Sequence, residues 1–125
     1  CTAGPVAAIE NMKIIEDEGL LDNTLAMGDR MVANLSALAE KHAVIGDVRG
    51  GHGLMTAIEM VSDRETKKPI DADSGAIVQE MTYRSGAMVR VSGPNLILSP
   101  PLVISENEAA VILTALDAGF AALKG

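Results

Sequence analysis

The chain has 125 residues, enough for one domain that buries roughly two thirds of its unfolded surface. Its formal charge of −7 and its pI of about 4.7 argue against nucleic acid as a partner, because phosphate binding needs a basic face. Hydrophobic residues make up 48% but aromatics 2%, so the core must be built from Leu, Ile, Val, Met and Ala, and no apolar run approaches the ~20 residues of a membrane span.

One cysteine permits no internal disulfide, and no signal peptide is visible, so a reducing cytoplasm is the expected location. A start at Cys1 rather than Met is read as a piece of a longer chain; a mature lipoprotein would also begin with Cys, but structured sequence begins here without a linker.

Pro5 suits the first turn of a helix. Val6, Ile9 and Met12 follow at helical spacing, and Gly19 is a natural left-handed terminator. A second helix is expected from about Leu21 to His42, with Leu21, Leu25, Gly28, Met31, Val32, Leu35, Leu38 and Ala39 as its apolar stripe and Gly28 marking a close helix contact. His42 then sits where a helix C-terminus favours it.

Val44–Gly53 reads as a short strand and a glycine loop, followed by a strand over about Leu54–Val61. Gly50-Gly51-His52-Gly53 lacks the Lys-Ser/Thr of a P-loop and the spacing of a dinucleotide fingerprint, so a tight turn or bulge is the preferred reading over a phosphate cradle. Arg49 is expected to reach an acid such as Glu59. The polar Ser62–Asp73 segment reads as a surface loop. Asp73 or Ser74 is expected to cap a third helix, with Ile77, Val78 and Met81 inward and Gly86 ending it.

Strands are expected over Ala87–Ser92 and Leu96–Ser99, joined by Gly93-Pro94-Asn95. Pro100-Pro101 ends the second and removes two donors; sequence leaves open whether either bond is cis. Ser105 and Glu108 form a capping box, with Ile104 and Ala109 as its staple, before an amphipathic helix carrying Ile112, Leu113, Leu116, Phe120 and Leu123. The seven methionines read as core fillers. The sum is an α+β domain: a small, mostly antiparallel sheet covered by helices, spanning residues 1–125.

Arg90 lies between Met88-Val89 and Val91. A guanidinium is planar, always charged and shaped to fork onto a carboxylate. Taken from the pattern alone, the preferred reading is a strand arginine whose head reaches solvent or a nearby Glu.

Gly86 to Ile104, GAMVRVSGPNLILSPPLVI, resembles the C-terminal region of class III aminotransferases, fold-type I enzymes that use pyridoxal phosphate. Pro5–Ala8 with Ile14–Leu21, the Ile45–Gly50 and Gly53–Glu59 segments, and Ser105–Glu108 resemble other parts of the family in the same order. The glycine loop is one residue longer than usual, and Ala3-Gly4-Pro5 departs from the usual Gly-His-Pro, so no phosphate contact is carried over to Thr2.

The resemblance implies the small C-terminal domain of an aminotransferase. The parent would carry an amino group from an amine or ω-amino acid to a 2-oxo acid such as pyruvate, and it would pack against a large domain and a homodimer partner. The cofactor lysine and its aspartate partner would lie in that large domain, so this chain alone is expected to be inactive and to bind no pyridoxal phosphate. Its own lysines, Lys13, Lys41, Lys67, Lys68 and Lys124, sit in polar contexts, and its two histidines and one thiol show no metal-ligand spacing.

Members with an arginine three residues before the first proline resemble ornithine-type enzymes. That position is Ile97 here, and Arg90 matches the substrate-carboxylate arginine of ω-amino acid–pyruvate transaminases. Two alternatives remain: a free-standing, non-catalytic interaction domain, and a domain of a related aminomutase or decarboxylase.

Overall fold

In the computed structural model, residues 2–124 are described; Cys1, on which the lipoprotein reading turned, and the Lys124 side chain fall outside that description. Helix α1 spans Ala3–Asp17 and α2 spans Leu20–Lys41, with Gly19 between them at φ 60°, the left-handed conformation expected of a terminator. Strands β1 (Ile45–Arg49), β2 (Thr56–Asp63) and β3 (Lys68–Pro69) precede α3 (Ala72–Arg84). Strands β4 (Arg90–Ser92) and β5 (Asn95–Leu98) lead to α4 (Glu106–Ala121), which ends in a 3₁₀ turn. The sheet is antiparallel, ordered β1-β2-β5-β4, with β3 paired to the end of β2. This is the expected α+β layer.

Alternation along β2 and β5 divides the sheet into two faces. Thr56, Ile58, Met60, Leu96 and Leu98 are buried, whereas Ala57, Glu59, Asn95 and Ile97 are half-buried on the opposite face. The inner face joins Met31 and Leu35 of α2, Val78 of α3, and Leu116 and Phe120 of α4 in one core. The turn is tied to the central strand, since Met60 N donates to Pro94 O at 2.7 Å. A register shift at Ile45/Asp47 marks a bulge in β1. The Gly50–Gly53 segment is an irregular bend between β1 and β2, with Gly51 and Gly53 at φ 90° and 83°.

Several sequence expectations shift. In α2 the buried positions are Leu20, Met27, Gly28, Met31 and Leu35, while Leu21 and Leu25 are exposed. The inward face is phased on Thr24, Gly28, Met31 and Leu35, which leaves Leu25 about 100° round the helix. In α3, Gly75, Val78 and Thr82 face inward and Ile77 is exposed. Its cap is Asp71 rather than Asp73 or Ser74, because Asp71 Oδ1 accepts from Ser74 N at 2.8 Å. The Ser62–Asp73 loop therefore holds both β3 and a helix cap.

The methionines divide: Met27, Met31 and Met60 fill the core, but Met12, Met55 and Met88 are exposed. Nothing on α1 is buried, and Val6, Ile9, Met12 and Ile14 face outward. Every peptide bond among the described residues is trans, including those at Pro100 and Pro101.

Gly28 makes its close contact with the glycine loop rather than with a helix. A Cβ there would lie 2.2 Å from the Gly53 carbonyl oxygen, a backbone atom with no freedom to retreat. Gly28→Ala is therefore expected to cost about 1–3 kcal/mol through overpacking. Gly4→Ala, where a Cβ meets nothing within 4 Å, should not destabilise. Urea-unfolding midpoints of the two variants test the difference.

Candidate functional site

A cleft of about 700 Å³ opens where the edge strand β4 meets the first turns of α4. Segment 86–90 forms one wall, Ile97–Pro101 another, and Glu108, Val111 and Ile112 of α4 a third. Apolar groups dominate it, and its polar side chains include Arg90, Gln79 and Glu108. A mostly apolar concavity with a few placed polar groups is the usual form of a small-molecule site.

Arg90 is the first residue of β4 and pairs directly with Ile97 of β5. Directly opposed side chains lie about 5 Å apart, so Arg90's nearest cross-strand neighbour is aliphatic. Among the described residues Arg90 has no hydrogen bond or ion pair. The other arginines are all engaged. Arg49 Nη2 donates to Asn95 Oδ1 at 2.6 Å and lies 3.2 Å from Glu59, the partner expected for it. Arg64 donates to the carbonyl oxygens of Ala39, His42 (3.0 Å) and Ile45 (2.9 Å), closing the C-terminal end of α2. Arg30 pairs with Glu106, and Arg84 with Glu80 at 2.7 Å. Arg90 lines the cleft and is exposed, so its guanidinium is open to whatever enters from outside the domain.

Glu108 lines the same cleft but is internally committed. Its Oε2 accepts from Ser105 N at 2.8 Å and from Ser105 Oγ at 2.7 Å, while Glu108 N donates back to Ser105 Oγ at 3.3 Å. Those bonds, the hydroxyl first and the backbone N–H second, hold its carboxyl below the usual range. This is the capping box read from sequence, and Ile104 and Ala109 are both buried beside it.

No described lysine lines the cleft: Lys13 pairs with Glu10 at 2.8 Å, Lys41 with Asp117, Lys67 lies on an exposed turn, and Lys68 begins the exposed strand β3. His42 is buried away from the cleft, with Nε2 2.6 Å from Asp117 Oδ1 and its ring 5.6 Å from that of Phe120. Hydrogen bonds from Lys41 and then His42 lower the Asp117 carboxyl. That pair ties the end of α2 to α4. The Gly50–Gly53 loop is packed against α2, with Gly53 beside Gly28 and Thr24.

Gln79 was not singled out by sequence. Its Nε2 donates to Val89 O at 3.1 Å, beside Arg90. A glutamine on a polar helix face gives no pattern signal; the contact depends on α3 lying next to segment 86–89.

The structural neighbours of this α+β layer are fold-type I transaminases. The model of the family "Aminotransferase class-III" matches residues 3–120, and the chain belongs to that family. It is 48% identical over 124 residues to a hypotaurine/taurine–pyruvate aminotransferase of Paracoccus denitrificans, and 50% identical over 125 residues to a taurine–pyruvate aminotransferase of Rhodobacter capsulatus. Each alignment covers 94% of this chain and 27% of the relative, so the chain spans about a quarter of their length. The solved amine transaminase of an uncultivated Pseudomonas species, in its PLP-bound form, superposes with a TM-score of 0.87 at 39% identity, covering 92% of this chain and 26% of that one. Among the described residues no helix is long and apolar enough to cross a membrane.

The depressed carboxyls set an acid limit on the fold. A carboxyl whose folded pKa lies below its unfolded value stabilises the fold above the unfolded pKa, and that contribution is lost as pH falls through the folded one. Asp63, Asp71 and Asp117 start from 3.8 and Glu108 from 4.5, all lowered, so stability should decline as pH falls below about 4.5. Glu108→Gln keeps a capping box but removes its titration. Urea midpoints measured at about pH 6 and pH 3 should differ less for that variant than for the parent chain.

Proposed function

We propose that the chain is the C-terminal small domain of a pyridoxal-phosphate-dependent class III aminotransferase. The enzyme moves an amino group from an amine or ω-amino acid to a 2-oxo acid such as pyruvate, and Arg90 holds the carboxylate. The observation that carries this reading is Arg90 itself, which lines the cleft without an internal carboxylate and faces Ile97. The names of the Paracoccus and Rhodobacter relatives support pyruvate as the acceptor.

Among the described residues the cleft offers no lysine, so they do not fit as the anchor of pyridoxal phosphate. The cofactor would be held by other parts of the enzyme, and this domain's share of the work is to orient the substrate and screen it with apolar surface. The exposed apolar residues of α1 are a surface for those other parts to cover. A domain in that role has no turnover by itself. Incubating the chain with pyridoxal phosphate, trapping with borohydride and mapping peptides should show scattered, substoichiometric labelling. Stoichiometric labelling of a single lysine, with transamination, would overturn the assignment.

In a complete enzyme, removing one member of a desolvated charge pair costs about 2–5 kcal/mol. Arg90→Ala should accordingly lower kcat/KM for pyruvate by roughly 30-fold to several thousand-fold. A sulfonate donor such as taurine offers the same kind of oxygens and should lose activity too, whereas an uncharged amine should be nearly unaffected. Arg90→Lys restores the charge but not the fork, so it should rescue in part. Single-turnover kinetics on each half-reaction decide the matter; equal losses for amine and pyruvate would make Arg90 structural.

A further inference from the structure

Arg90 begins its strand without the support of a long ladder. Residues 87–89 lie outside regular structure, and β4 has only three residues, paired on one side to β5. Two contacts hold the approach to it. The Val89 side chain is 6% exposed and sits in the core, and the Val89 carbonyl accepts from Gln79 Nε2 at 3.1 Å.

That carbonyl belongs to the peptide group that contains the Arg90 nitrogen. A peptide group is planar, so its oxygen, the Arg90 N–H and the Arg90 Cα lie in one plane. Fixing the oxygen from one side and the Val89 side chain from the other fixes where the Arg90 Cα sits, and the pairing of Arg90 with Ile97 restrains its φ, so together they set the direction in which the Arg90 Cα–Cβ bond leaves the backbone. A flexible side chain can hold a carboxylate in a forked geometry only if its base does not swing. Gln79 itself lines the cleft from α3, a helix anchored by Val78 and Thr82 in the interior, so its hold on the strand is referred to the rigid core.

We propose that Gln79 is a positioning residue for Arg90, setting affinity for carboxylate-bearing acceptors through the Val89–Arg90 peptide. This rests on the reading of Arg90 as the carboxylate receptor.

The test uses the full-length enzyme carrying this domain, loaded with cofactor, and compares pyruvate with an aliphatic aldehyde such as butanal as acceptor. Gln79→Met keeps the size of the side chain and loses the donor. It should raise KM for pyruvate about two- to tenfold, the range expected for one lost hydrogen bond to a carbonyl, with kcat held and kcat/KM for butanal unchanged. Gln79→His, whose ring N–H can donate to the same carbonyl, should recover most of the pyruvate KM.

Amide hydrogen exchange over residues 88–91 should speed up in Gln79→Met and return towards the parent value in Gln79→His. If Gln79→Met does not fold, Gln79→Leu, which removes the donor without adding a charge beside Arg90, takes its place. An unchanged pyruvate KM, or an equal loss for both acceptors, would overturn the role of Gln79 while a selective pyruvate loss in Arg90→Ala left the carboxylate reading standing. Absence of that selective loss in Arg90→Ala would remove both.

Discussion

The register of β2 against β5 is the constraint from which the rest of the molecule follows. Ile58 faces Leu96 and Glu59 faces Asn95, so one pair lies inward and the next outward. A slip of one residue in either strand would expose Ile58 or Leu96 and bring a carboxylate or an amide into the core, at a cost of several kcal/mol. The β4–β5 hairpin is built on that register, and through it Arg90, Ile97, Ala57 and Arg49 form one row across the outer face. The two arginines at the ends of this row differ because of their neighbours: Arg49 has Glu59 and Asn95 within reach, and Arg90 has Ile97.

Scarcity of aromatic residues shapes the packing behind the sheet. With one phenylalanine, and aliphatic side chains elsewhere, layers come together where small residues let backbones approach. Gly28 receives the Gly53 carbonyl, and Gly119 of α4 receives Thr82 of α3, whose Oγ1 would lie 2.2 Å from a Cβ placed there. Thr82 Oγ1 donates to Val78 O at 2.7 Å, so the hydroxyl enters the interior already satisfied. Close interiors of this kind respond sharply to added volume.

Local chemistry was the legible part of the sequence. Ser105 with Glu108, the Gly19 terminator, the Gly93-Pro94 turn and the Arg49–Glu59 pair each rest on residues adjacent in sequence or predictably paired, and each is present. Helix phase was less legible: Leu21 and Leu25 are as apolar as Leu20 and Met27, and only the layers packed against α2 distinguish them. Arg90 stood out as a charge within an apolar run, but its freedom from internal acids depends on which side chain opposes it across the hairpin. The Gln79–Val89 bond and the closing of α2 by Arg64 join elements that sequence distance separates, and neither residue type signals such a task in advance.

Helix α1 has a consequence for how the chain unfolds. Fifteen residues form it, none buried, while a helix of that length is marginal in water without a packed face. Its order is therefore conditional on cover, and its melting is separable from the cooperative loss of the sheet and the other helices. Heat absorbed at the main transition would report residues from Leu20 onward, while an ellipticity trace would begin to fall earlier. One chain would then show two transitions by two probes without any intermediate of the core.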